Sequence, residues 1–271
     1  MKDDVSRQQR RKRTREQIKA GHALMVSGLP AKPGRAALRD VAHVMHAVLV
    51  DRTNPRRAGE AAGLAHEIAE TALRRHPAPL EIACRRGCSY CCYSYVGVVP
   101  PEVFRIAAAI SKHRRSGLTH DVVVARAHLL RGITPEARVG AKLACPLLEN
   151  GQCGIYADRP LTCRQATSLS IDACREEFDG ELASNDQIEV SATHLAHASN
   201  AHVALLGAMR GAGLPTTAYE LSEALSIALA TPDAERLWLE GEDVFRGVQQ
   251  NTERPANVEL IARMIAEDVQ G

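Results

Sequence analysis

Eight cysteines in a chain of 271 residues all fall between Cys84 and Cys174, and nothing else in the sequence restricts the fold as tightly. Their meaning depends on the compartment. The opening Met1-Lys-Asp-Asp-Val-Ser-Arg has no apolar stretch of the secretory kind, and no window approaches ~18 uninterrupted apolar residues. The best candidate, Val41 to Val50, is broken by His43 and His46. A soluble, cytoplasmic protein is expected. In that reducing setting stable disulfides are disfavoured, so dense cysteines point first to metal binding or catalysis.

The first group reads Cys84-Arg-Arg-Gly-Cys88-Ser-Tyr-Cys91-Cys92. A tetrahedral thiolate site needs a tight turn between ligands, and a two- or three-residue spacing with Gly87 inside it supplies one. Adjacent Cys91 and Cys92 are hard to aim at one ion, because neighbouring side chains diverge; one of them fits a second centre or another role. The second group comprises Cys145, Cys153, Cys163 and Cys174. Asn150-Gly151 is a two-residue turn signal, which predicts a small hairpin bringing Cys145 and Cys153 together. Eight thiolates suffice for two closed four-thiolate ions, for one four-iron cluster with spares, or for a smaller site plus reactive thiols. The spacing does not decide between zinc and iron.

Charge and energy favour a metal. An ion held by four thiolates is anionic, so burying it calls for cations or N–H donors, and Arg85, Arg86, Arg159, Arg164 and Arg175 lie within a few residues of a cysteine. A structural zinc contributes about 10–16 kcal/mol of apparent folding free energy, against about 2–4 kcal/mol for a disulfide. A segment so poor in large apolar residues needs help of that order. The competing reading treats the thiols as small buried hydrophobes, with Cys92 and Cys174 the best cases. Two turn-spaced clusters are not what scattered core thiols produce.

The rest of the chain reads as helix. Aromatic residues are 3% of the chain, so the core must be built from Ala, Leu, Val and Ile, a mix that favours packed helices over a sandwich or barrel. Periodicity predicts helices over 35–50 and 57–75, from Pro100 towards Gly117, from about Asp121, and over 187–210, 217–230, 233–249 and 256–268. The expected organisation is a basic arm (1–34), a helical hairpin (35–80), a cysteine-cluster domain (81–180) and a C-terminal helical region (181–271). The overall class is mainly α, with a central cysteine-rich metal-binding segment containing a small hairpin.

Thirty-four Lys and Arg against 32 Asp and Glu give a net charge of +2, too balanced to advertise nucleic acid or a membrane. The arm carries eight basic residues in its first twenty (Lys2, Arg7, Arg10, Arg11, Lys12, Arg13, Arg15 and Lys19) without an aromatic residue to stack on a base, and so reads as a solvated helix. Nucleic acid and membrane are therefore not expected as partners, whereas a protein partner fits a metal-organised fold. His194, His197 and His202, like His43 and His46, read as surface or capping residues, since no carboxylate accompanies them in a ligand motif. Tyr90, Tyr93 and Tyr95 should wall the first cluster, and Tyr156 the second.

The double motif, Cys84-x3-Cys88-x2-Cys91-Cys92 followed by Cys145-Pro-Leu-Leu…Gly151-x-Cys153-x-Ile155-Tyr156-x-x-Arg159-Pro160-x-x-Cys163-Arg164, resembles the bacterial YkgJ-type cysteine-cluster family, described as zinc- or iron-chelating. The likeness covers about residues 84–175. It implies that the eight cysteines (Cys84, Cys88, Cys91, Cys92, Cys145, Cys153, Cys163 and Cys174) are metal ligands, with zinc or iron, including a 4Fe-4S cluster, as the cofactor. The same superfamily includes flagellin lysine N-methylases, which resemble iron–sulfur enzymes using S-adenosylmethionine. An iron–sulfur enzyme that modifies a protein side chain is thus the alternative function, and whether the chain is an enzyme stays open. Cys84-x3-Cys88-x-Tyr90-Cys91 also has the spacing of radical S-adenosylmethionine enzymes, but the strand–helix alternation of their barrel is missing.

Overall fold

The protein is seen here as a computed structural model, which describes residues 2–112, 117–183, 186–251 and 255–270; the side chains of Lys2, Asp3, Asp4 and Arg7 lie outside the described ones. Twelve helices are found among the described residues, and the mainly α class holds. They are α1 (Lys2–Ser27), α2 (Arg35–Leu49), α3 (Arg57–Arg75), α4 (Pro100–Lys112), α5 (His120–His128) and α6 (Pro135–Gly140). After these come α7 (Leu161–Gln165), α8 (Ile171–Asp179), α9 (Ala192–Gly211), α10 (Leu221–Ala230), α11 (Ala234–Leu239) and α12 (Ala256–Gln270).

α9 is the central pillar. Leu205, Leu206, Ala208 and Met209 are all fully buried, so consecutive positions around the helix face protein rather than water. α2, α3, α7 and α12 pack around it. α2 offers a stripe of Leu38, Val41, Ala42, Met45 and Leu49, as its spacing predicts. The buried face of α3 is an alanine ridge, Ala58, Ala61, Ala62, Ala65, Ala69 and Ala72, whose small side chains let α4 and α9 approach closely. One continuous apolar core runs from Met25 through Leu147, Ile155 and Leu161 of the cysteine region to Val269.

Helix starts follow the local chemistry. Thr119, Thr134, Ser170 and Ser191 each accept a bond from a first-turn backbone N–H of their helix. Glu220 does the same for α10. Three strands, β1 (Gly97–Val98), β4 (Ala218–Glu220) and β5 (Gln250–Asn251), form a small antiparallel sheet in the order β1-β4-β5. The hairpin predicted at Asn150-Gly151 is present: β2 (Leu148–Glu149) pairs with β3 (Gln152–Cys153). Both turn residues are left-handed, at φ +49° and +73°, as a tight two-residue loop requires.

Three helix expectations need correction. Residues 187–191 are not helical, because Leu169 N–H bonds Glu189 O and Ser191 N–H bonds Thr167 O, drawing that stretch alongside 167–169. Residues 218–220 pair with β1 and β5, so α10 begins only at Leu221. The stretch 233–249 keeps only α11, which ends at Gly241 with φ +97°, and Phe245 and Val248 then reach the core from irregular chain. The histidine expectation fails at two of the five positions. His43 and His197 are 2% and 1% exposed, and His197 stacks on His76 at 6.2 Å.

Candidate metal centre

All eight cysteines are free thiols. They gather from six places: the 84–88 loop, a single 3₁₀ turn over Tyr90–Tyr93, the approach to the hairpin, β3, α7 and α8. The two sequence motifs are stitched together by Cys145 N–H donating to Cys92 O at 2.7 Å.

Buried aliphatic neighbours fix the second motif. Leu147, Ile155 and Leu161 are at most 4% exposed, and each lies two residues from Cys145, Cys153 or Cys163. Burying each contributes roughly 1.5–3 kcal/mol, so these anchors dictate where the cysteines go. They also supply donors, since Leu147 N–H bonds the Cys145 sulfur and Ile155 N–H the Cys153 sulfur. Tyr90 N–H does the same for Cys88, again two residues on. Ser168 N–H donates to the Cys84 sulfur at 3.1 Å. Backbone N–H groups aimed at sulfur stabilise thiolate over thiol, which is what a metal ligand needs.

The sulfurs divide into two sets. Cys84 and Cys88 each feel Cys91 and Cys174, and all four line a cavity of about 260 Å³. Cys163 feels Cys145, Cys91 and Cys153, and Cys92 feels Cys91, Cys145 and Cys153, so the two groups overlap at Cys91. We call these the outer set (Cys84, Cys88, Cys91, Cys174) and the inner set (Cys92, Cys145, Cys153, Cys163). Cys91 stands at the boundary, hydrogen-bonded to Cys92 and within electrostatic reach of Cys153 and Cys163. Among the described residues, no three His, Cys, Asp or Glu side chains are closed to ion-binding distance. The sulfurs are gathered but not clamped.

The electrostatics fit a cation in each set. Burial is the leading cause that pushes Cys145 up to about 12 and Cys163 well above its ordinary value, and neighbouring sulfurs push the same way. Burial also raises Cys84, Cys88 and Cys153. A bound cation would relieve both penalties. In the Cys91–Cys92 pair, the hydrogen bond drives Cys91 down to about 6 and Cys92 up. Arg159, stacked at 4.4 Å over Tyr156, favours the thiolates of Cys91, Cys153 and Cys163, and Arg85 favours that of Cys88. Arg138 favours the thiolate of Cys145, whereas Arg164 turns into the body to meet Glu70 and Arg175 pairs with Asp172.

The cavity of the outer set has a wall of Tyr90, Tyr93, Phe178, Ile188 and Val190. Phe178 packs on Tyr93 and Tyr90 at 4.8 and 5.6 Å between ring centres. Tyr95 departs from the expected wall; it turns towards Glu220, Glu223 and Arg138, and burial raises its pKa to about 12.

Sequence reasoning missed Glu102, His66 and Glu70. Glu102 is fully buried and accepts Leu161 N–H at 2.8 Å, with His66 Nε2 at 3.4 Å from the same oxygen. It therefore holds the start of α7, the helix that carries Cys163. Arg164 on that helix donates to Arg159 O and Ala157 O and pairs with Glu70 of α3. The available signal was Glu102 in the first turn of a proline-started helix, but nothing there marks a buried charge.

No curated protein and no solved structure matches the chain. The family model CxxCxxCC, "Putative zinc- or iron-chelating domain", matches residues 83–192, about two fifths of the chain. Those boundaries enclose all eight cysteines, both sulfur sets and the Glu102 anchor on α7. Residues 83–192 are thus similar to this cysteine-cluster family, within an otherwise helical body.

Proposed function

We propose that the protein is a metal carrier in which the eight cysteines make two four-thiolate centres. The inner set holds one zinc or iron ion, and the outer set holds an iron–sulfur cluster. The observation that supports this reading is the arrangement of the sulfurs, with Cys145, Cys153 and Cys163 packed against the core and Cys84, Cys88, Cys91 and Cys174 around a cavity. One water needs about 10–15 Å³ on the same measure, so about 260 Å³ is far more than a single ion fills. The apolar wall suits a cluster that must be kept from water and oxygen. When bound, a closed four-thiolate ion supplies folding energy, and a cluster supplies one-electron chemistry.

The chain's own residues do the rest. Backbone N–H groups of Tyr90, Leu147, Ile155 and Ser168 hold negative charge on sulfur, Arg159 offsets it, and the aliphatic anchors keep the inner set in place. Eight free thiols support a reducing compartment, and no helix among the described residues is long and apolar enough to cross a membrane. No observation favours the side-chain methylase. The test is anoxic purification followed by metal and sulfide analysis of wild type, Cys163→Ala and Cys174→Ala. Cys163→Ala should lose the single ion and keep iron and sulfide; Cys174→Ala should do the reverse. Loss of all metal from both variants would refute separate centres, and a metal-free wild type would refute the reading altogether.

A further inference from the structure

The basic arm becomes a different object once its surroundings are known. Composition alone favoured a solvated run. The structure makes it the leading half of α1, a 26-residue helix. Residues 8–13, 15 and 16 are all exposed, and the first buried position is Gln17. Arg10, Arg11, Lys12, Arg13 and Arg15 therefore stand clear of the body on about two turns of helix. Among the described residues no ion pair involves any of them, and between Gln8 and Arg15 there is no acidic residue.

At 100° per residue these five cations point all round the axis rather than to one side. Like charges at i,i+4, such as Arg11 and Arg15, destabilise an isolated helix, so this one gains most from a partner that supplies negative charge on several sides. A membrane surface asks for an apolar face to insert, and residues 8–16 have none. A single strand asks for aromatic rings to stack on its bases, and the arm has none. The major groove of B-form DNA, about 12 Å wide, admits a helix and lines it with phosphates on both walls. The deep, narrow major groove of duplex RNA does not.

We infer that the exposed half of α1 is a DNA-binding element that enters the major groove of B-form duplex and contacts phosphates through Arg10, Arg11, Lys12, Arg13 and Arg15. Binding is independent of base sequence, because no residue of the arm is placed to read base edges with support from the body. Five phosphate contacts give a salt slope of about −4.5 in log K against log salt, a loss of roughly 500-fold between 50 and 200 mM.

The experiment measures fluorescence anisotropy of a labelled 16-base-pair DNA with the full-length, metal-loaded protein across that salt range. The comparison is the full-length variant in which all five cations are changed to Gln, its fold checked by circular dichroism and its metal by elemental analysis. The wild type should show the steep slope, and the variant should bind at least about 100-fold more weakly with helix content and metal unchanged. The inference is overturned if the variant binds DNA as well as wild type. It is equally overturned if duplex RNA or single-stranded DNA of the same length binds as tightly, or if phosphatidylserine vesicles bind and DNA does not.

Discussion

Replacing Glu102 by Ala removes a carboxylate that is fully enclosed and leaves Leu161 N–H and His66 Nε2 without their acceptor. Losing two hydrogen bonds to a buried charged group, worth about 1.5–3 kcal/mol each, costs about 3–5 kcal/mol after the neighbours relax. At about 2–4 °C per kcal/mol for a chain near this size, Glu102→Ala should lower the melting temperature by roughly 6–20 °C. Glu102→Gln keeps an oxygen for Leu161 N–H but loses the charge facing His66, so its loss should be less than half as large. The pH dependence has a definite sign. Burial pushes the Glu102 pKa up, but His66, His202 and Leu161 N–H outweigh it and hold the group below the ordinary carboxylate value. The stabilisation is therefore complete above that ordinary value and is lost as pH falls through the lower folded one. Thermal melts of metal-free wild type and both variants between pH 3 and 7 measure this directly. If Glu102→Ala melted within 1–2 °C of wild type, or lost inner and outer metal alike, the anchoring of Cys163 through α7 would be wrong.

His43 is 2% exposed, neither ring nitrogen has a partner, and burial is the chief reason its pKa falls from 6.5 to about 4. Stability should drop by up to about 3 kcal/mol as pH falls from 6.5 to 4 and level off below; His43→Leu should flatten that stretch of a denaturation-against-pH curve. In metal-free protein at pH 7, Cys91 should be the thiol alkylated fastest by iodoacetamide, since Cys92 holds it at about 6. Cys92→Ala, which removes the hydrogen-bond donor, should slow that reaction several-fold, read by peptide mass analysis, because most of the thiolate is then lost.

Much of the helical frame is legible because periodicity and punctuation agree. α2 and α3 lie where apolar spacing places them, and the Asn150-Gly151 hairpin forms at its turn signal. What escapes the sequence is pairing between distant segments. Val96 O accepts Leu221 N–H, and Ser168 bridges Val190, so two stretches that could extend helices are taken up by partners elsewhere in the chain. A local pattern contains no information about such competitors. The buried histidines escape for the same reason: His43 reads as polar on a helix, and the packing of other helices over α2 removes it from water.

The site shows the same division between local and distant information. Adjacent side chains are hard to aim at one ion; Cys91 lines the outer cavity and Cys92 feels Cys145 and Cys153, while a hydrogen bond links the two. In the proposed two-centre arrangement the dipeptide is the seam, and Cys145 N–H binding Cys92 O ties its inner side to the second motif. Which distant cysteine joins which set was not legible. Cys174 is eleven residues past Cys163, yet α8 carries it to the outer cavity, while Leu161 and Glu102 keep Cys163 inside. Partner choice at a metal site is thus made by the apolar and charged residues that seat each ligand's helix. Moving those seats should redistribute metal between the centres even with all eight sulfurs intact.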